Sequence, residues 1–198
     1  MASGFKVQPQ RLFNMSSHKE FDCDKADPLL AELSKYKDDR GKLWIGIDGA
    51  PSTGKTKLSY RIAAACDFDK VINIDDHLNL GQGNFIERIN LSILRRNIAL
   101  YNNKSLIIEG CCLREVLHRL SVSCDILIYC REISELTRIW HAQEVLAYTQ
   151  EEGTEDKLRQ LDGLDLEVAK YHKVYKPNNC VNYIYNLINQ LKRAQVKT

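Results

Sequence analysis

The stretch that most constrains this chain is residues 43–59, LWIGIDGAPSTGKTKLS. An apolar run suited to a buried strand leads into Gly49, Ala50, Pro51, Ser52, Thr53, Gly54, Lys55 and Thr56, and the following residues can continue as a helix. That is the G-x-x-x-x-G-K-[ST] pattern in strand, turn and helix context. The glycines let the backbone turn so that successive N–H groups converge on an anion, and the helix adds the positive end of its dipole. In such a loop Lys55 reaches the terminal phosphates of a nucleoside triphosphate, and the Thr56 hydroxyl is a ligand for Mg²⁺.

The rest of the chain reads as strands alternating with helices. Strands are expected at 42–48, 71–74, 105–110, 125–130 and 180–185, each a short apolar or β-branched run. Helices are expected at 54–66, 85–102, 113–120, 133–148, 164–175 and 187–196 from apolar residues at helical spacing. Before the first strand, Asp27 and Pro28 look like an N-cap and first helical position, and residues 1–27 read as a loosely attached arm. The alternation implies an α/β fold, a five-stranded parallel sheet with helices on both faces. Ligands of such sheets bind beyond the carboxyl ends of the strands.

Composition narrows the setting. A 198-residue chain with 44% hydrophobic and 27% charged residues suits one ordinary globular domain. A net charge of +2 gives no bulk attraction to nucleic acid or to a membrane surface. The seven cysteines are odd in number, none shows C-x-x-C spacing, and several sit in apolar stretches as small buried hydrophobes. Free thiols, with neither a signal-peptide pattern nor an apolar run of spanning length, point to the cytoplasm.

Two carboxylate sites fall on the expected rim. Asp75 and Asp76 end the second strand, followed by His77, and Glu109 ends the third after four apolar residues. Phosphoryl transfer needs one carboxylate to orient and deprotonate an acceptor hydroxyl and another to help hold the metal. Asp75 or Asp76 suits the first task and Glu109 the second. The alternative for the aspartates is a solvated strand end or helix cap. A carboxylate such as Glu109 inside an apolar strand is costly unless it faces a cleft or a metal. His77 could meet the acceptor or pair with Asp76 in a loop.

The combination GAPSTGKT, INIDDHL, LIIEG, ILIYC and EVAKYHKVYKP resembles the P-loop kinases of the phosphoribulokinase and uridine kinase group, over residues 43–186. The resemblance implies a three-layer P-loop NTPase fold, with an arm and outer helix at 1–41 and a kinase domain at 42–198. It also implies ATP and Mg²⁺ as cofactors, and a small-molecule hydroxyl, that of a nucleoside or related sugar-containing metabolite, as acceptor. Asp75 matches the family's proposed acceptor base, Asp76 falls on a variable place, His77 stands where an aromatic is common, and Glu109 matches the metal-side glutamate. A mobile lid is implied at about 149–163, with Arg159 inside it and Arg138 on the preceding helix as substrate-side cations. The tight R-x-x-R-D cluster of the family is absent from this segment.

Other readings make different demands. A toxin-like or sugar-nucleotide kinase shares the loop and the aspartate and needs a larger acceptor pocket. A GTPase switch needs N-K-x-D and D-x-x-G in places where this chain has neither. A nucleotide-dependent binding protein without turnover is kept open as a lesser alternative by the unreadable arginine cluster, since positioned cations carry much of the transition-state stabilisation.

Overall fold

The computed structural model describes residues 18–81, 83–135, 161 and 163–189. Its elements are β1 (Lys19–Asp22), α1 (Asp27–Arg40), β2 (Trp44–Gly49), α2 (Lys55–Cys66), β3 (Lys70–Asn73), α3 (Phe85–Arg88), α4 (Leu91–Ala99), β4 (Leu106–Gly110), α5 (Leu113–Leu120), β5 (Ile126–Ser134), α6 (Gly163–Tyr175) and β6 (Tyr183–Asn189). The strands form one sheet in the order β1-β6-β5-β2-β4-β3, and every pair is parallel. β2 sits between β4 and β5, where the chain changes direction across the sheet. That switch point opens a crevice at the strand carboxyl ends, and the phosphate loop lies in it.

The alternation of side chains across the pleat makes three layers. Ile45 and Ile47 of β2, Ile107 of β4, and Ile126 and Ile128 of β5 pack with α1 and α2 on one face. Ile72 of β3 and Leu106 and Ile108 of β4 pack with α4, α5 and α6 on the other. Being covered on both sides, these strands carry continuous apolar runs rather than alternating ones. Leu29 and Leu33 of α1 are wholly buried, each stabilising the outer layer by about 2 kcal/mol. Gly41 ends α1 with φ 72°, its N–H donating to Lys37 O.

Among the described residues the sheet has six strands, not five. The extra strand is Lys19–Asp22, part of the stretch read as a loose arm, which pairs with β6 at the sheet edge. Its sequence, KEFD, has no apolar run, because an edge strand needs only backbone pairing and one apolar contact. Phe21 supplies that contact, its ring edge against Tyr183, while Arg131 Nη2 meets Glu20 Oε2 at 2.7 Å.

Boundaries differ elsewhere for tertiary reasons. The expected helix at 85–102 is two helices, α3 and α4, interrupted where Ile89 bridges Leu78. Asn90 there caps α4 by accepting from Ile93 N–H at 3.1 Å. Ile133 and Ser134, expected to start a helix, extend β5 by pairing with Ile188 and Asn189. Leu187, Ile188 and Asn189 accordingly belong to β6 instead of a terminal helix, and residues 190–196 and 136–148 of the two expected helices lie outside the described residues. All seven cysteines are free, and Cys66, Cys111, Cys112 and Cys130 are buried.

Candidate active site

The loop from Gly49 to Gly54 joins β2 to α2 with backbone angles that few side chains allow: Gly49 has φ 151°, Ser52 φ 63° and Gly54 φ 82°. Gly49 is required by space as well. A Cβ there would lie 2.3 Å from Cys130 O and 2.8 Å from Thr53 Oγ1. Within the loop, Thr53 Oγ1 donates to Ala50 O at 2.8 Å. Lys55 starts α2 and is 7% exposed. Its ammonium donates to Ala50 O at 2.7 Å and to Cys111 Sγ at 3.5 Å, both neutral partners. Burial pushes the Cys111 thiol up to about 11, so it stays protonated. Pro51, Ser52 and Thr56 are exposed, which leaves the mouth of the loop open.

Strand parity sends the neighbouring carboxylates to different partners. Glu109 has the parity of Ile107 and so faces α2, where Thr56 Oγ1 donates to its Oε1 at 2.8 Å. It is 1% exposed. Burial raises its pKa; the Thr56 bond and Lys55 lower it, and Asp75 and Asp76 raise it. These mutual influences locate Lys55, Glu109, Asp75 and Asp76 in one electrostatic site. A hydroxyl and a buried carboxylate at hydrogen-bond distance form a hard oxygen donor set that fits Mg²⁺.

The next residue, Gly110, locks the two carboxylate motifs together. A Cβ on Gly110 would come within 2.0 Å of Ile74 Cγ1. Ile74, fully buried, precedes Asp75 directly, so the glycine of the Glu109-Gly110 pair is what lets the Asp75 turn seat against β4. Asp75 itself is exposed on its open side. The protein on its other side raises its pKa, Lys55 opposes that rise, and Asp76 adds to it.

The Asp75 turn is a single 3-10 turn, Ile74–His77, capped by Asn73, whose Oδ1 accepts from Asp75 N–H at 2.9 Å. His77 Nδ1 lies 3.1 Å from Asn73 O, and Asn97 Nδ2 lies 2.9 Å from His77 Nε2. A backbone carbonyl only accepts, so Nδ1 donates to Asn73 O, and Nε2 faces the Asn97 side-chain amide. His77, expected on the substrate or beside Asp76, has both ring nitrogens occupied by Asn73 and Asn97. It positions the turn. Asn73 and Asn97 escaped the sequence reading, because an asparagine that braces a turn looks like any loop asparagine.

Asp48 escaped it too. Its parity is opposite to that of Ile47, so it points toward α5 and α6 and is 1% exposed. Gly49 N–H and Leu113 N–H donate to its Oδ1 at 2.7 and 3.3 Å, and the Tyr171 hydroxyl donates to Oδ2. Burial raises its pKa, opposed by those three donors and by Lys55. The usable signal was a carboxylate inside an apolar strand directly before the phosphate loop, the argument applied to Glu109.

No protein-family model matches the chain, and no curated protein matches it either. Solved structures similar to it include the following two. One, described as a possible uridine kinase from Bacillus stearothermophilus, is 15% identical with a TM-score of 0.48, over 79% of this chain and 96% of that one. The other, provisionally named a fructose transport system kinase from Silicibacter sp. TM1040, is 16% identical with a TM-score of 0.40, over 78% of this chain and 98% of that one.

Arg138, Arg159 and almost all of the lid at 149–163 lie outside the described residues. Among the described residues, no helix is long and apolar enough to cross a membrane.

Proposed function

We propose that this protein is an ATP- and Mg²⁺-dependent kinase that phosphorylates a hydroxyl of a small molecule, a nucleoside or related sugar-containing metabolite. The observation that carries the reading is the convergence, at the carboxyl ends of β2, β3 and β4, of three parts: a glycine-locked phosphate loop, the Thr56–Glu109 oxygen pair at 2.8 Å, and an exposed Asp75 under the influence of Lys55. A phosphate-binding loop with one buried and one open carboxylate beside it meets the needs of transfer to a hydroxyl.

In this reading the N–H groups of the loop and the Lys55 ammonium hold phosphate oxygens. Thr56 and Glu109 would hold Mg²⁺, which when bound neutralises charge developing on the phosphates. Asp75 orients the acceptor hydroxyl and takes its proton as attack begins. Its raised pKa brings it closer to a working base than an ordinary aspartate. Asp76, exposed beside it, and the arginines at 138 and 159 stay assigned to the substrate. We place the protein in the cytoplasm, acting without nucleic acid or membrane partners.

The test is ADP release by purified protein with Mg²⁺ and ATP, against a panel of nucleosides, sugars, sugar phosphates and vitamin alcohols, beside Lys55→Ala and Asp75→Asn. One acceptor is expected to raise turnover well above background, and each substitution to remove that rise. If ATP binds yet no acceptor stimulates turnover and Asp75→Asn changes nothing, the chain is a nucleotide-dependent binding protein instead.

A further inference from the structure

Helix α6 presents three contacts on one side to parts of the chain that are distant in sequence. Glu167 caps α3: its Oε1 accepts from Phe85 N–H at 2.7 Å and its Oε2 from Ile86 N–H at 3.3 Å. One turn later, the Tyr171 hydroxyl donates to Asp48 under the phosphate loop and accepts from Arg114 N–H at 3.2 Å. At the end of the helix, Arg114 Nη1 donates to Tyr175 O at 2.8 Å. The residue next to Tyr171, His172, bonds Tyr129 of β5 through Nε2 at 2.6 Å.

The α3 end of this arrangement belongs to the acceptor side. Asn79 N–H donates to Arg88 O at 2.7 Å, and Asn90 N–H to His77 O at 2.8 Å, so the segment around α3 is stitched to the turn that carries Asp75. Glu167 and Tyr171 are four residues apart on a helix, about 6 Å along its axis. A single helical turn therefore joins the acceptor-side cap to the floor of the phosphate loop.

We infer that α6 is a strut coupling occupancy of the phosphate loop to order in the acceptor-side turn, with Tyr171 and Glu167 as its two positioning residues. The physical link is Asp48. All its hydrogen-bonding neighbours are donors, the pattern an ionised carboxylate requires, and the other charge that balances it is Lys55. When a phosphate engages Lys55, that positive charge is shared, and Asp48 leans harder on the Tyr171 hydroxyl. A tighter Tyr171 contact holds α6 in place, and through Glu167 it holds α3. The inference rests on the nucleotide-binding part of the reading above and not on the identity of the acceptor.

Amide hydrogen exchange with AMP-PNP and Mg²⁺ as the probe tests it. In the wild type, AMP-PNP is expected to slow exchange at Phe85 and Ile86 by roughly fivefold or more, a coupling of ordinary size. Coupling is reciprocal, so Glu167→Gln, which touches no phosphate, is expected to weaken AMP-PNP binding by a comparable factor. In Tyr171→Phe both effects are expected to vanish: nucleotide no longer slows exchange at Phe85 and Ile86, and adding Glu167→Gln leaves the dissociation constant unchanged. A merely structural hydrogen bond would alter stability without removing a nucleotide-dependent change elsewhere. If Tyr171→Phe does not fold, the wild type and Glu167→Gln decide alone. Binding of AMP-PNP with no change at Phe85 and Ile86, and no effect of Glu167→Gln on affinity, overturns the strut and leaves the kinase reading standing. No binding of AMP-PNP to the wild type overturns both.

Discussion

The two sides of the candidate site are built by different means. On the phosphate side, Gly49 lies against the Cys130 carbonyl, Gly110 against Ile74, and Asp48 and Glu109 are each 1% exposed. Backbone and core fix everything there. On the acceptor side, Asp75 and Asp76 are exposed, and the turn that carries them is held by side-chain amides and an imidazole, from Asn73, Asn97 and His77. Close packing tolerates little change, whereas a polar brace can be rebuilt from other residues. On the function proposed above, the phosphate side would bind what every nucleoside triphosphate shares, and the acceptor side is where such a kinase could change its substrate without disturbing its core.

The most severe break of this contrast is Gly49→Ala. The added Cβ, 2.3 Å from a carbonyl oxygen in a sheet strand, cannot be relieved by a side-chain rotation. Loss of AMP-PNP binding and a fall of several kcal/mol in stability are expected, read by titration and by urea unfolding.

Asp75→Asn sharpens it from the other side. Turnover is expected to drop about 10²- to 10⁴-fold, while the urea midpoint stays that of the wild type because the side chain is exposed. The carboxylate must be ionised to act, and its pKa is raised. Activity should therefore climb with pH through an acid limb above the ordinary aspartate value. That limb should be missing from the residual activity of Asp75→Asn. A wild-type profile flat across this range would remove Asp75 from the role of base.

Gly110→Ala probes the join between the two sides. A loss of about 3 kcal/mol is expected, and Ile74→Ala, which removes the two atoms within 2.4 Å of the new Cβ, should recover part of it in the double mutant. Simple additivity of the two losses would show that the glycine is there for another reason.

His172 offers a milder test through pH. Burial lowers its pKa from 6.5 to about 4, so it is neutral when folded. Its contribution is fully present above pH 6.5 and is lost as the pH falls from 6.5 toward 4, on the order of 3 kcal/mol in all. In His172→Gln the stability should change less over that interval, as followed by thermal melting.

The smallest expected effect is that of Asn97→Ala, about 1 kcal/mol for one lost hydrogen bond. It should appear as a rise in the KM for the acceptor with little change in that for ATP. An equal rise in both would mean that the brace serves the whole site.

How much of this was legible follows from range. The boundaries of α5, expected at 113–120 and found at Leu113–Leu120, and the start of α2 next to its loop were readable because spacing and local turn chemistry set them. The strand at Lys19–Asp22 was not, because its partner is β6, more than 160 residues away. The same holds for the split between α3 and α4, which depends on Leu78 returning to Ile89. In the site, Lys55, Thr56, Asp75 and Glu109 announced themselves by residue type in a motif, and the structure brings them together at one rim. His77 was read as meeting the acceptor or pairing with Asp76 in a loop, and its ring nitrogens instead meet Asn73 and Asn97, the latter twenty residues on.

By itself, the sequence determined that a glycine-rich turn follows a buried strand and opens a helix, and that carboxylates end two further strands. Such features are local: backbone freedom, apolar periodicity and charge placement act over a few residues. Only the tertiary structure decided which face of the sheet each carboxylate uses, sending Glu109 to Thr56 and Asp48 to Tyr171. Parity says only that the two point to opposite faces, and which helix covers each face is decided when the strands take their order in the sheet.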